Sequence, residues 1–108
     1  AMVRADEMLT KEKALEDAAR LYPKAAAYLA TWVKTVRNAS WRNLADVRAS
    51  YPSADMVRVK SGRPVYVFNV CGNTYRLVAA LHFNTQMAFT LRFLTHAEYS
   101  KDRWKDDL

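Results

Sequence analysis

Glycine and cysteine are scarce in this chain, with two glycines and one cysteine in 108 residues. The lone Cys71 rules out an intrachain disulfide and fits a reducing compartment, so the cytoplasm is the expected location. With glycine only at Gly62 and Gly72, no glycine-rich phosphate loop can be written. Cys-x-x-Cys and His-Glu-x-x-His are missing too, and His82 and His96 stand at no zinc-ligand spacing from Cys71, so neither metal nor cofactor is expected. Beside its turn, Cys71 reads as a small buried residue rather than a nucleophile. No serine has a histidine and an acid arranged near it in sequence. Long apolar runs are absent as well. The longest stretch without a formal charge, Leu77 to Leu91, contains His82, Asn84 and Gln86 and is too short for a bilayer, so no membrane partner is expected. No secretory leader follows Met2, and Ala1 reads as the remnant of an expression tag.

The residues present describe a globular protein, 51% hydrophobic and 26% charged. The length suits one domain over 1–108, with residues 1–10 as a flexible start. Lysine and arginine number 17 against 11 aspartates and glutamates, a net charge of +6. Such an excess suits a polyanionic partner (RNA, DNA, anionic lipid or an acidic protein), or simply serves solubility. The positions of the charges have to decide.

Helical spacing comes first. Leu15, Ala18, Ala19 and Tyr22 form one amphipathic stripe, and Pro23 opens a second helix with Ala25, Tyr28, Leu29, Trp32, Val33 and Val36 on one face. Ser40 is the expected N-cap of a short third helix through Trp41, Leu44 and Ala45, closing near Tyr51-Pro52. Trp32 at its helical spacing is core, and Trp41 stays open between core and base stacking. Beyond Pro52 the texture turns to strands at Met56–Lys60, Val65–Cys71, Thr74–Phe83 and Met87–Leu94. Gly72-Asn73 fits a hairpin turn that sets Asn69 opposite Arg76. Tyr66, Phe68, Val70, Tyr75, Leu77, Ala79, Leu81 and Phe83 then share one face, while Val67, Asn69, Arg76, Val78, Ala80 and His82 share the other. A three-residue loop, Asn84-Thr85-Gln86, would set Leu81 opposite Phe89 and Leu77 opposite Phe93, and would place Thr90 and Arg92 beside Arg76. Thr95 to Glu98 has the form of a capping box, starting a last helix that carries His96 and Tyr99 on one side. The expected class is α+β, with N-terminal helices packed on a small, mainly antiparallel sheet and a short C-terminal helix.

One face therefore gathers Asn69, Arg76 and Arg92, with His96 and Tyr99 where the last strand becomes a helix. Paired arginine forks suit phosphate, although each arginine taken alone is an ordinary solvated or salt-bridged residue. RNA transesterification uses such a set. A base takes the 2′-hydroxyl proton, an acid protonates the departing 5′-oxygen, and cations stabilise the charge on phosphorus. His96 can serve as base or acid, and a tyrosine such as Tyr99 can donate or accept a proton where neighbouring arginines support it. Arg58, Lys60 and Arg63 surround the Ser61-Gly62 turn. They either grip an RNA backbone or protect an edge strand from aggregation. Lys101, just beyond Tyr99, joins Arg58, Lys60, Arg63 and Asn69 as a candidate RNA contact.

The run Tyr66-Val67-Phe68-Asn69-Val70-Cys71-Gly72-Asn73-Thr74-Tyr75-Arg76-Leu77, followed by Arg92-Phe93-Leu94-Thr95-His96-Ala97-Glu98-Tyr99, resembles the HigB toxins of bacterial toxin–antitoxin modules. Tyr51-Pro52-Ser53-Ala54 and the tryptophan-bearing segment before it are similar too, so the likeness covers about residues 11 to 102. The resemblance implies a RelE-like fold with a ribonuclease site on the open side of the sheet, and cleavage of messenger RNA, usually during translation on the ribosome; with no ligand set visible, that cleavage is expected to need no metal. Arg76 and Arg92 match basic residues expected at the phosphate, and His96 and Tyr99 match the pair at the end of the sheet. It also implies a HigA-type antitoxin with a helix-turn-helix domain, through which alone the toxin would meet operator DNA. Two features depart from the pattern. Ser100 follows Tyr99 where such toxins often have aspartate, so no acid role falls to Asp102, and Met8-Leu9-Thr10 is the only candidate for their first short strand. A non-catalytic RNA- or ribosome-binding module of the same fold is the alternative, and an acidic protein partner a third reading.

Overall fold

A computed structural model of the chain describes the backbone of residues 3–4 and 12–108 and the side chains from Leu15 onward. The elements run β1 (Val3–Arg4), α1 (Glu12–Leu21), α2 (Pro23–Asn38), α3 (Leu44–Ser50), β2 (Asp55–Arg58), β3 (Pro64–Val70), β4 (Tyr75–His82), β5 (Met87–Thr95) and α4 (His96–Ser100), closing on a 3-10 turn, Arg103–Asp107. The five strands lie in the order β1-β5-β4-β3-β2, with β1 parallel to β5 and every other pair antiparallel. The first strand thus sits at Val3–Arg4, and the expected candidate Met8-Leu9-Thr10 lies outside the described residues.

The helices form where apolar spacing and termini agree. In α2, Pro23 occupies the first turn, where a missing N–H costs nothing, and Ala25, Leu29, Trp32 and Val36 are buried along one stripe. Trp32 meets Phe68 of the sheet edge-on at 5.5 Å. The cap of α3 is Asn43 and not Ser40. Asn43 Oδ1 accepts from the Asp46 N–H at 2.9 Å, while the Arg42 N–H donates to the Asp46 carboxylate at 3.0 Å, so two free donors at the helix start are satisfied. Trp41 is core, 4% exposed and edge-on to Tyr51.

The hairpin register Asn69↔Arg76 holds, and the β3 and β4 faces divide as expected. Tyr66, Phe68, Val70, Leu77, Ala79 and Leu81 pack under the helices. Cys71 departs from expectation, being exposed in the turn with φ +52°. β5 departs further. Leu77 does face Phe93, but a bulge between Val78 and Ala79 shifts the rest, so Leu81 faces Ala88 and His82 faces Met87. The connection therefore includes Phe83 as well as Asn84-Thr85-Gln86, and the Gln86 amide clasps it by donating to the carbonyls of Phe83 and Trp41. Leu91 is the extra residue. It turns Thr90 to the helix side, buried opposite Ala79, instead of leaving it beside Arg76.

The face away from the helices is not bare. Val65, Val67, Val78 and Leu94 are buried beneath Trp104, with Val57, Leu91, Tyr99 and Leu108 around them. The C-terminal segment is fastened across this face. The Lys60 N–H donates to the Lys105 carbonyl at 3.0 Å, and the Ser61 hydroxyl donates to the Leu108 carbonyl at 2.7 Å.

Candidate active site

The end of β5 and the start of α4 are locked by local chemistry. The Glu98 N–H donates to Thr95 Oγ1 at 3.2 Å and the Thr95 N–H donates to Glu98 Oε1 at 2.9 Å, completing the capping box. The His96 N–H reaches the Thr74 carbonyl at 3.0 Å, tying this helix start to the β3–β4 turn. His96 is exposed, and its ring makes no hydrogen bond or ring contact among the described residues. Tyr99 points back over the sheet and stacks on Trp104 at 5.4 Å and 21°. The Trp104 indole N–H donates to the Tyr99 carbonyl at 3.1 Å, so the ring and its backbone are held by one partner.

Arg76, on β4 beside Leu94, projects to the same place. Its guanidinium lies 5.4 Å from the Tyr99 ring centre and donates to Asn73 Oδ1 at 2.9 Å and the Tyr75 carbonyl at 3.0 Å. Only 8% of Arg76 is exposed, so it is also a packing element of this face. Asn69 is half-buried opposite it. Arg92 stands opposite Val78 and donates to its neighbour's carbonyl, Leu91, at 2.7 Å. It separates two hollows. An apolar groove of about 360 Å³ runs between α1 and β5 past Leu15, Leu21 and Phe93, and a cavity of about 290 Å³ lies under α4 and the 3-10 turn with Lys101 and Arg103 at its rim.

Of the residues singled out in the sequence, Arg76 meets Tyr99 of α4 with Asn69 opposite it on β3, Arg92 and Lys101 line the cavity next to Trp104, and His96 is exposed at the first turn of α4. Arg58, Lys60 and Arg63 do not join them. Arg58 shares the helix-side face with Tyr66, whose hydroxyl pKa is raised by burial and pulled back by that guanidinium, and it donates to the Gly62 carbonyl at 2.9 Å. Lys60 and Arg63 are exposed at the β2–β3 turn, which Lys60 links to the C-terminal segment only through its backbone. Three residues the sequence did not single out, Arg103, Trp104 and Asp107, line the cavity beside Arg92. The one signal for them is a tryptophan five residues after Tyr99 in an otherwise charged terminal run. Among the described residues no three His, Cys, Asp or Glu side chains gather to hold a metal ion, and no helix is long and apolar enough to cross a membrane. Arg92, Lys101 and Arg103 have no ion-pair partner among the described residues, so this corner presents cations to solvent.

A family model described as "HigB_toxin, RelE-like toxic component of a toxin-antitoxin system" matches residues 25–102. The chain is 34% identical over 91 residues to the "mRNA interferase toxin HigB" of Escherichia coli K12, covering 84% of this chain and 86% of that protein. The "mRNA interferase HigB" of Shigella flexneri matches at the same identity and coverage. The protein of that name in Escherichia coli O6:H1 is 28% identical over 86 residues, covering 80% of this chain and 82% of its own length.

Proposed function

Because the chain belongs to the HigB family, RelE-like toxic components of toxin–antitoxin systems, we propose that it is an endoribonuclease that cuts messenger RNA on the translating ribosome by attack of a 2′-hydroxyl on the adjacent phosphate. The observation that carries this reading is the guanidinium of Arg76 held 5.4 Å from the Tyr99 ring, on the sheet face that also carries Arg92. In the reaction a base takes the 2′-hydroxyl proton, the O2′–P bond forms, the P–O5′ bond breaks and O5′ is protonated. The products are a 2′,3′-cyclic phosphate and a 5′-hydroxyl. Arg76 and Arg92 neutralise the charge gained by the phosphate. His96, exposed at the start of α4, and Tyr99, beside Arg76, move the protons. Asn69 and Lys101 contact the RNA around this point, and Arg58, Lys60 and Arg63 meet the message or ribosomal RNA from the far edge of the sheet.

A HigA-type antitoxin with a helix-turn-helix domain silences this corner by laying acidic side chains on Arg92 and Lys101, and it alone contacts operator DNA. The cytoplasm is where message and antitoxin would be met. The deciding experiment is a translation assay with ribosomes, message and purified protein, with every cut end mapped and its chemistry read. Cyclic phosphate ends that appear only with ribosomes support the proposal. Ends bearing 3′-hydroxyl and 5′-phosphate would mean that water attacked, and ribosome binding with no cut ends would leave a non-catalytic binder.

A further inference from the structure

The cavity beneath α4 and the 3-10 turn lies partly outside the segment that the family match covers. Arg103, Trp104 and Asp107 stand beyond residue 102, yet they line it together with Arg92, Glu98 and Lys101. Three cations and two carboxylates face one hollow of about 290 Å³ above the buried side chains of Leu94 and Trp104. The charges are not spent on one another, because Arg92, Lys101 and Arg103 form no ion pair among the described residues. Glu98 has one oxygen committed to the Thr95 N–H, which leaves the other free. Nearby Asp102, by contrast, is paired with Lys105 at 3.2 Å. Trp104 offers no stacking surface to a ligand, since Tyr99 lies against its ring and the Lys105 ammonium sits 5.7 Å from the ring centre.

We propose that this cavity is a subsite for one nucleotide of RNA flanking the cut, with its phosphodiester on Arg92, Lys101 and Arg103 and a base N–H donor on Asp107. The proposal rests on the ribonuclease reading for the word "flanking". The chemistry of the hollow carries the rest. Three positive and two negative groups leave one net positive charge, the complement of a single phosphodiester. Arginine forks and a lysine point charge suit phosphate oxygens. Carboxylates do not, and their place in an anion site is explained by a donor on the same ligand, which a base edge supplies. Because Trp104 lines this cavity and stacks on Tyr99, which in turn meets Arg76, a nucleotide seated here would direct the neighbouring phosphate toward Arg76 and Tyr99. Arg103 and Asp107 are both exposed, so their replacement leaves the packed face intact.

Two measurements test this. The first titrates an RNA dinucleotide with a 2′-O-methyl group, which cannot be cut, against the three tryptophan indole NMR signals. The Trp104 signal should move while those of Trp32 and Trp41 stay still. Arg103→Gln should weaken binding roughly 10-fold, and Asp107→Asn should alter the order in which dinucleotides of different base bind. The second maps cut ends in the translation assay. Arg103→Gln should lower cleavage about 10-fold at limiting message, evenly over all sites, and Asp107→Asn should change the base distribution at one fixed position relative to the cut. An unmoved Trp104 signal, or folded variants with wild-type affinity and a wild-type cut map, overturns the subsite. Dinucleotide binding at Trp104 by a protein that cuts nothing keeps the nucleotide site and removes the ribonuclease reading instead.

Discussion

Replacing the two site arginines one at a time separates chemistry from packing, because the structure gives them unequal surroundings. Arg92 is half-buried and makes one hydrogen bond, to the Leu91 carbonyl, so Arg92→Ala removes little that the fold uses. The stability cost should stay below about 1 kcal/mol. Arg76 is 8% exposed, donates to Asn73 and Tyr75, and lies against the Tyr99 ring. Losing those bonds and that contact should cost about 2 kcal/mol, since Asn73 is exposed and water replaces part of what the side chain supplied. With the unfolding entropy usual for a chain of this length, that is a fall in Tm of about 9 °C. Both variants should lose about 2–4 kcal/mol of transition-state stabilisation, or roughly 30- to 1000-fold in rate. Thermal melts fix a temperature at which each variant is folded, and message cleavage is timed there. Arg92→Ala that melts normally and still cuts at the wild-type rate would end the case for a phosphate site on β5. Arg76→Ala with an unchanged Tm would show that its burial contributes nothing to the fold.

Other expectations check the fold and the chemistry separately. Leu77→Ala, at a fully buried position under the helices, should destabilise by about 2–5 kcal/mol in urea melts and lower activity only through unfolding. Asn43→Ala should lose about 1 kcal/mol by removing the α3 cap, while Ser40→Ala should be near neutral in the same melts. Burial, reinforced by neighbouring Tyr51, raises the Tyr28 pKa above its ordinary value near 10, so the fold favours the neutral phenol. That contribution is intact below about pH 10 and is lost as pH rises through the higher folded-state value; alkaline melts should therefore steepen above pH 10, and less so in Tyr28→Phe. Coexpressed with its antitoxin, the toxin should copurify as a complex, and acidic-to-neutral changes in the antitoxin segment that covers Arg92 should restore toxicity.

The sequence and the structure agree where a single physical signal decides and part where two signals compete. β3 and β4 carry apolar helix-side residues at every second position, most of them large, so Asn69↔Arg76 follows from alternation and one glycine turn. β5 offers no such contrast. Phe89, Leu91 and Leu94 are apolar on the outer face while Ala88 and Phe93 are apolar on the helix side, so either phase of the strand buries hydrophobic surface. The bulge at Leu91 resolves the conflict by setting Thr90, in place of Leu91, opposite Ala79 and Ala88, in place of Phe89, opposite Leu81. Thr90 and Ala88 turn inward as a result. Arg92 still stands opposite Val78, so the arginine reaches the outer face although the strand changes phase at the adjacent Leu91. The C-terminal run was illegible for a different reason. Arg103 to Leu108 is mostly charged and has no periodicity, and its placement depends on Trp104 meeting Tyr99 and on hydrogen bonds from the distant Lys60 N–H and Ser61 hydroxyl. A local pattern cannot announce contacts made with residues more than forty positions away. The face that alternation alone presents as open is therefore roofed by this segment, which backs the Tyr99 ring that lies against Arg76 and shapes the cavity beside Arg92.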